Sequence, residues 1–132
     1  MDINIRFIDK YKGLDVYESP DCQSPMSIIT IKKENKRAIL YNGKMCYDFP
    51  TQEFNALLEH EIGHIHLKHS TNERDINNEI EADLYSAKVV GIDTTIQALE
   101  MTLYIVKKLN HKYAKEELIQ RIKSLEEYKN NI

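Results

Sequence analysis

The pentapeptide His60-Glu61-Ile62-Gly63-His64 constrains this chain more than any other stretch. It lies in a segment with helical periodicity, and residues four apart on a helix share one face, so both imidazoles can reach a single metal ion. Imidazole nitrogens are good zinc ligands, and a catalytic zinc site takes three protein ligands and leaves the fourth position to water. Glu61 is expected to face that water as a general base. The pentapeptide therefore predicts part of a catalytic zinc site.

A second acidic segment, Glu79-Ile80-Glu81-Ala82-Asp83, follows within the next predicted helix. Glu79 and Asp83 are four apart and share a helix face, so Glu79 can supply a third ligand. Asp83 can accept the other ring N–H of a ligating histidine and so hold its tautomer. Glu81 competes with Glu79 on composition, but two residues further on it is expected to point to the other side of the helix.

The order H-E-x-x-H followed by E-x-x-x-D resembles the signature of the gluzincin zinc peptidases. H-E-I-G-H-x-x-x-x-H with E-x-E-A-D is similar to two of their branches. One contains the CAAX prenyl proteases, the HtpX-type heat-shock proteases and their soluble minimal relatives, the minigluzincins, and the other is the ImmA/IrrE type. The ImmA/IrrE pattern usually has asparagine at the position of Asp83, and residues 91–99 and 117–125 favour the first branch. The resemblance covers about residues 27–125 and is specific across 57–87.

For this chain, the resemblance implies a zinc-dependent endopeptidase that hydrolyses peptide bonds with a metal-activated water. The family's zinc ligands correspond to His60, His64 and Glu79, with Glu61 as the general base and Asp83 as an outer partner of a ligand. The implied partner is a peptide or protein substrate. Two alternatives stay open: an ImmA/IrrE-like regulatory protease that acts on a DNA-bound repressor, and a zinc-binding scaffold without turnover.

A peptidase also needs a donor for the negative charge that develops on the tetrahedral intermediate. Arg121 resembles the arginine in the C-terminal helix of the HtpX-type proteases and is the predicted catalytic donor. Tyr85, in the same predicted helix as Glu79, and His111, in a late loop, are the alternatives.

The other histidines near the pentapeptide are not expected to bind the metal. The metzincin pattern H-E-x-x-H-x-x-G-x-x-H requires glycine and histidine at the positions of Leu67 and Ser70, so that class is excluded. His69 lies five residues after His64, and its place on the helix is expected to turn its ring well away from the two ligands, toward solvent or a substrate. His66 is a weaker candidate still.

The N-terminal part predicts strands. An alternation of apolar and polar residues begins at Ile3, and residues 15–18 predict a second short strand. Residues 26–32 and 37–41 are β-rich segments around a plausible turn and predict a hairpin. The resemblance implies an edge strand that pairs with an extended substrate, either 39–41 or the opposite hairpin strand, unless the hairpin only packs beneath the helices.

Four helices are predicted after Thr51, the candidate N-cap of the first. The first helix should pack through Phe54, Leu57, Leu58, Ile62 and Ile65. The second carries Glu79 and ends near Gly91 after a loop over 71–78. Apolar periodicity marks the third and fourth around 96–106 and 118–125, with Tyr104, Ile105 and Leu109 also assigned to the core. The predicted fold is α+β: a small N-terminal antiparallel sheet or hairpin packed on the zinc-binding helix, a helical C-terminal half, and a single domain over 1–132.

The composition is ordinary for a globular protein, with a formal net charge of -3 and a sequence pI near 6.0 over 132 residues. A nucleic-acid-binding domain usually has a basic face or a high pI, so no direct nucleic-acid contact is expected. The longest apolar segment, 101–106, is far shorter than the ~20 residues that span a bilayer, so no membrane contact is expected. Two cysteines are too few for a disulfide framework, and charged residues interrupt any signal-peptide-like run, so a cytoplasmic location is expected.

Overall fold

The computed structural model describes residues 4–69 and 74–131, which form four strands followed by four helices. This order confirms the predicted α+β class. The chain divides into two compact units, Met1–Asp48 with the strands and Phe49–Ile132 with the helices. Every residue of the predicted metal site belongs to the helical unit.

The strands form one mixed sheet. They are β1 (Arg6–Tyr11), β2 (Leu14–Glu18), β3 (Met26–Ile31) and β4 (Lys36–Tyr41), in the spatial order β1-β2-β4-β3. The β1/β2 and β3/β4 pairs are antiparallel, whereas β2 and β4 are parallel. The two antiparallel pairs agree with the predicted small antiparallel sheet or hairpin, whereas the parallel β2/β4 pair does not. The chain after β2 passes over one strand position, and the β3/β4 hairpin then returns β4 beside β2.

The predicted hairpin is confirmed as β3 and β4, and the predicted second strand is confirmed as β2. The first strand begins at Arg6, and Ile3 lies outside the described residues. β4 lies between β2 and β3, so residues 39–41 cannot offer a free strand edge to a substrate, and that prediction is wrong. Its alternative, the opposite hairpin strand β3, is an edge of the sheet.

The four predicted helices are confirmed as α1 (Thr51–His66), α2 (Ile76–Val90), α3 (Ile92–Leu109) and α4 (Lys112–Asn130). Helix α1 has Pro50 at its N-cap, so Thr51 is the first helical residue and not the cap. Helix α2 is capped by Asp75, whose side chain accepts a hydrogen bond from the backbone N–H of Asn77. The predicted loop over 71–78 is too long at its C-terminal end, because α2 already begins at Ile76. Residues 70–73 lie outside the described part of the chain.

The core of the helical unit lies mainly between α3 and α4, and its buried members are Leu99, Val106, Leu118 and Leu125. Tyr104 is 60% exposed and Leu109 47% exposed, so their assignment to the core is wrong, while Ile105 is half-buried. Tyr104 lies two residues before Val106, and a two-residue step on a helix turns a side chain to the opposite face.

Helix α1 packs against α2 and α3, but its most buried face is not its most apolar one. Of the five residues in the predicted apolar stripe, Leu58 is buried and the others are half-buried. The fully buried positions of α1 instead include three ionisable residues, Glu59, His60 and Glu61. Buried ionisable groups are costly unless they are paired or bind a metal, so this face is a candidate functional site.

The cysteines Cys22 and Cys46 are buried free thiols in the strand-containing unit. Burial raises the pKa of the Cys46 thiol to about 12. Among the helices of residues 4–69 and 74–131, none combines enough length with enough apolar character to cross a bilayer.

Candidate metal centre

Three donor groups meet between α1 and α2. His60 and His64 lie one turn apart on α1, and Glu79 lies in the first turn of α2. The Nε2 atoms of the two histidines are 3.1 Å apart, and Oε1 of Glu79 lies 3.1 Å from Nε2 of His60 and 3.3 Å from Nε2 of His64. This group could hold a metal ion.

The donor set and its spacing fit a four-coordinate metal. Zinc binds nitrogen and carboxylate oxygen at about 2.0–2.2 Å, and a tetrahedron with such bonds has edges of roughly 3.3 Å. The three observed donor separations of 3.1, 3.1 and 3.3 Å match that edge closely. His60 and Glu79 are buried and His64 is half-buried, so the donor group is sheltered from solvent.

The charge on Glu79 is strongly favoured. Burial alone would raise the pKa of its carboxyl group, but hydrogen bonds and attraction from His60 and His64 outweigh burial and hold the pKa far below its usual range. Two guanidinium groups add positive charge: Nη2 of Arg74 lies 3.8 Å and Nη1 of Arg121 lies 3.9 Å from Oε1 of Glu79. The third predicted ligand is therefore ionised, as metal binding requires.

A buried chain of hydrogen bonds begins at His60. We call its three residues, His60, Asp83 and Arg121, the buried arm. Nδ1 of His60 lies 2.7 Å from Oδ1 of Asp83. Arg121 donates to both carboxylate oxygens of Asp83, from Nε to Oδ2 and from Nη2 to Oδ1, each at 2.8 Å. Asp83 is 1% exposed and Arg121 7% exposed. The predicted contact between Asp83 and a ligating histidine is thus present, and it selects His60.

The pKa values within the buried arm follow from this geometry. Burial raises the pKa of Asp83, but attraction to Arg121 and to His60 outweighs it and lowers the pKa. Burial lowers the pKa of His60, but Asp83 and Glu79 outweigh it and raise the pKa to about 9. An outer carboxylate that accepts the Nδ1–H of a ligating histidine fixes its tautomer and strengthens its basicity.

Glu61 follows His60 directly and is 9% exposed. Burial raises the pKa of its carboxyl group, while the imidazoles of His60 and His64 oppose the shift without cancelling it. A raised carboxyl pKa brings a general base closer to neutral pH, where proton transfer is most effective.

The three predicted oxyanion donors lie in different surroundings. Arg121 is buried against Asp83, and His111 is exposed just before α4. The Tyr85 ring lies 5.3 Å from the ring of His66 and close to Gly63, where an added Cβ would stand 3.0 Å from Cβ of Tyr85. Gly63 therefore permits the close approach of α1 and α2, and the donor role stays a prediction for all three candidates.

His69 is placed differently from the prediction. Helix α1 ends at His66, and Lys68 takes a left-handed conformation with φ of 60°. The backbone N–H of Lys68 then donates to O of Ile65, and that of His69 donates to O of His64, which is a Schellman ending. The chain therefore reverses at Lys68 and does not continue as a helix, so the His69 ring lies against His64. The prediction that this ring turns away from the site is wrong.

The His69 ring is the middle member of a second chain of contacts. We call its three residues, His64, His69 and Glu81, the outer arm. Nδ1 of His64 lies 2.9 Å from Nδ1 of His69, and Nε2 of His69 lies 3.1 Å from Oε1 of Glu81. Neither His69 nor Glu81 belongs to the donor group found among the described residues, and their exclusion as ligands stays a prediction.

An ion pair that the sequence did not indicate lies beside Glu79. Arg74 donates from Nε to Oε2 of Glu117 at 2.9 Å and from Nη2 to Oε1 of the same carboxylate. Nη1 of Arg121 lies 3.6 Å from Oε1 of Glu117. No local pattern could have indicated this pair, because its members are 43 residues apart in sequence.

Comparisons of the chain with protein-family models, curated proteins and solved structures found no match. The gluzincin resemblance therefore rests on the motif residues of this chain, and family membership stays a prediction.

Proposed function

We propose that this protein is a zinc-dependent endopeptidase of the gluzincin type, in which His60, His64 and Glu79 hold the ion. The donor triangle between α1 and α2 carries the proposal, because its spacing matches a tetrahedral site and the buried carboxylate of Glu61 adjoins it in sequence. The motif residues resemble those of the HtpX-like branch, which includes the minigluzincins.

Zinc, when bound, supplies Lewis-acid activation of water and of a peptide carbonyl. Glu61 accepts the proton of the attacking water as the new C–O bond forms. It then gives that proton to the amide nitrogen as the C–N bond breaks, so that a carboxylic acid and an amine leave. The raised pKa of Glu61 suits both transfers, because the carboxyl group must gain and then lose the proton within one turnover.

In this proposal Arg121 is a positioning residue. Its Nε and Nη2 both donate to Asp83, which contacts the ring nitrogen of His60 remote from Glu79. Arg121 thereby keeps Asp83 ionised and aimed at Nδ1 of His60, and Nη1 adds positive charge 3.9 Å from Glu79. A guanidinium with these partners serves the ligands and is poorly placed to leave them for a substrate.

The proposal is tested by pairing metal content with cleavage. Wild-type protein, Glu61→Gln and Glu79→Ala are purified alike, their zinc is measured by elemental mass spectrometry, and a peptide library is profiled for cleavage. We expect about one zinc per chain in the wild type and in Glu61→Gln, and clear loss in Glu79→Ala. Cleavage should fall by roughly 10²- to 10⁴-fold in Glu61→Gln, because the base is removed and the ligands remain.

Absence of zinc from all three proteins after zinc is supplied would overturn the proposal. Zinc binding by the wild type with no cleavage of any peptide would support a zinc-binding scaffold instead. If a coexpressed DNA-binding repressor is lost with the wild type and retained with Glu61→Gln, the result would support a regulatory protease of the ImmA/IrrE type.

A further inference from the structure

The position of His69 gives His64 an outer partner of its own. His64 directs Nε2 at the donor triangle and Nδ1 at His69, with the two Nδ1 atoms 2.9 Å apart. The two rings meet edge to face, with centroids 5.2 Å apart and planes at 68°. Both nitrogens of His64 are therefore engaged, one toward the ligand group and one toward His69.

The backbone holds His69 in this place. In a Schellman ending, the residue after the left-handed position comes to lie against a side chain in the last helical turn. Here that residue is His69 and the contacted side chain is that of His64, whose carbonyl also accepts the backbone N–H of His69 at 2.9 Å. Although His69 follows the end of a helix, its side chain is only 9% exposed.

The far nitrogen of His69 reaches a carboxylate on the neighbouring helix. Nε2 of His69 lies 3.1 Å from Oε1 of Glu81, in the helix that also supplies Glu79 and Asp83. The side chain of Glu81 is 57% exposed. A carboxylate oxygen accepts hydrogen bonds, so Nε2 of His69 must carry the hydrogen in this contact.

One arrangement of hydrogens fits both contacts of the outer arm and leaves the donor triangle open to an ion. If the His69 ring carries its single N–H on Nε2 and donates to Glu81, its Nδ1 is an acceptor, and Nδ1 of His64 donates to it. Nε2 of His64 is then left with its lone pair directed at the donor triangle. That tautomer is the one a metal ligand needs, and Asp83 imposes the same tautomer on His60.

We propose that His69 and Glu81 are positioning residues of the metal centre, a relay that fixes the tautomer and orientation of His64. The inference rests on the proposed metal site and adds a task for two residues outside the ligand set. His69 is not itself a ligand in this account, because one of its nitrogens faces Nδ1 of His64 and the other faces Glu81.

The test measures metal affinity and spectrum without any substrate. Zn²⁺ affinity is measured by competition with a chromophoric chelator, and Co²⁺ is used as a visible-absorbing probe of ligand geometry. Loss of an outer partner typically lowers metal affinity 10- to 100-fold, so we expect roughly that loss in His69→Ala, together with an altered Co²⁺ spectrum. His69→Gln, whose side-chain oxygen can accept from Nδ1 of His64, should recover part of both.

His66→Ala is the matched control. His66 belongs to the same final turn of α1, is exposed, and lies against Tyr85 and not against a donor. This variant should bind Zn²⁺ and Co²⁺ as the wild type does. Circular dichroism of every variant checks that the helices are retained.

A double-mutant cycle separates a relay from simple packing. Glu81→Gln should weaken Zn²⁺ binding severalfold when His69 is present and have no effect in the His69→Ala background, because its influence passes through that ring. Additive effects would overturn the relay. Long-range nitrogen–proton NMR of the zinc-loaded wild type should show Nδ1 of His64 protonated, and the opposite tautomer would also overturn it.

The outcomes keep the two proposals apart. A wild type that binds neither ion removes the proposed function and the relay together. A wild type that binds zinc and loses it in Glu79→Ala, while His69→Ala and Glu81→Gln bind like the wild type, retains the metal site and removes the relay. Should His69→Ala fail to fold, His69→Gln and the exposed Glu81→Gln decide the matter by the same readouts.

Discussion

The two histidines of the donor triangle are supported in different ways. In the buried arm, Nδ1 of His60 meets the carboxylate of Asp83 directly, and Arg121 from α4 neutralises that carboxylate. In the outer arm, Nδ1 of His64 contacts the imidazole of His69, and the carboxylate of Glu81 contacts the far nitrogen of that ring. Each arm contains a carboxylate of α2, yet Asp83 is 1% exposed and Glu81 lies at the surface.

The difference follows from where each charge lies. A carboxylate in the interior must be compensated by an opposite charge and by hydrogen bonds, which Asp83 receives from Arg121. The side chain of Glu81 is 57% exposed, so water stabilises its charge and no buried counter-charge is required. We therefore expect the buried arm to stabilise the fold as well as to orient His60, whereas the outer arm should act mainly on His64.

Matched truncation of the two carboxylates should give the largest contrast. Asp83→Ala leaves the guanidinium of Arg121 buried without its bidentate partner, so we expect a loss of about 3 kcal/mol or more in the free energy of unfolding. Glu81→Ala removes a mostly solvated group and should cost less than about 1 kcal/mol. Urea denaturation of both metal-free variants measures the two losses, and equal values would contradict the distinction.

The buried arm should also make metal binding pH-dependent. The pKa of His60 is raised from 6.5 to about 9, because Asp83 and Glu79 outweigh the effect of burial. Zinc must displace the proton from His60, so its apparent affinity should fall about tenfold for each unit that the pH drops below about 9. Chelator competition across this range measures the slope, and an affinity that is constant between about pH 7 and 9 would contradict the prediction.

The same shift gives the metal-free protein a pH-dependent stability of known sign. A group whose pKa is higher in the folded state than in the unfolded state stabilises the fold when protonated. The contribution of His60 is therefore complete below its ordinary pKa of 6.5 and is lost as the pH rises through about 9. Urea unfolding of Asp83→Asn is the control, since loss of the carboxylate charge should move this change to lower pH.

The smallest predicted effect concerns the turn at Lys68, which places His69 against His64. Lys68 has φ of 60°, a conformation that is unfavourable for residues with a Cβ and free of that cost for glycine. Lys68→Gly should therefore raise the free energy of unfolding by about 0.5–1 kcal/mol and leave zinc affinity unchanged, because His69 keeps its place. Asn110→Gly, at a similar conformation after α3, is the control and should gain less, because asparagine already tolerates it.

A fall in stability in Lys68→Gly would show that the lysine side chain, and not the backbone conformation, holds the turn. A fall in zinc affinity with stability intact would show that the turn positions His69 less firmly than the Schellman hydrogen bonds imply.

Local periodicity was enough to predict the inner part of the site. His60 and His64 share a face of α1, and Glu79 and Asp83 share a face of α2, because residues four apart on a helix always do so. The helix that carries Glu79 ends before Gly91, which has φ of 104°, as the glycine indicated. These features depend on the conformation of a few consecutive residues, which the amino-acid types largely determine.

Features that join distant parts of the chain escaped prediction. The parallel pairing of β2 with β4 depends on which way a connection crosses the sheet. Arg121 donates to a carboxylate 38 residues earlier, so the resemblance indicated the residue and the tertiary structure decided its partner. Tyr104 is exposed because packing of α3 against α4 selects a narrower apolar face than the composition of α3 suggests.

His69 lies at the boundary between these two kinds of feature. The sequence determined that a histidine follows His64 by five residues, but not whether the helix continues through it. A glycine at position 68 would have predicted the chain reversal, whereas Lys68 has no intrinsic preference for a left-handed conformation. The sequence alone thus predicted the three donor residues and an outer role for Asp83, because the fixed repeat of a helix places His60 with His64 and Glu79 with Asp83. The tertiary structure decided that Asp83 contacts His60 and that His69 contacts His64, because these contacts depend on how helices end and on which helices pack together.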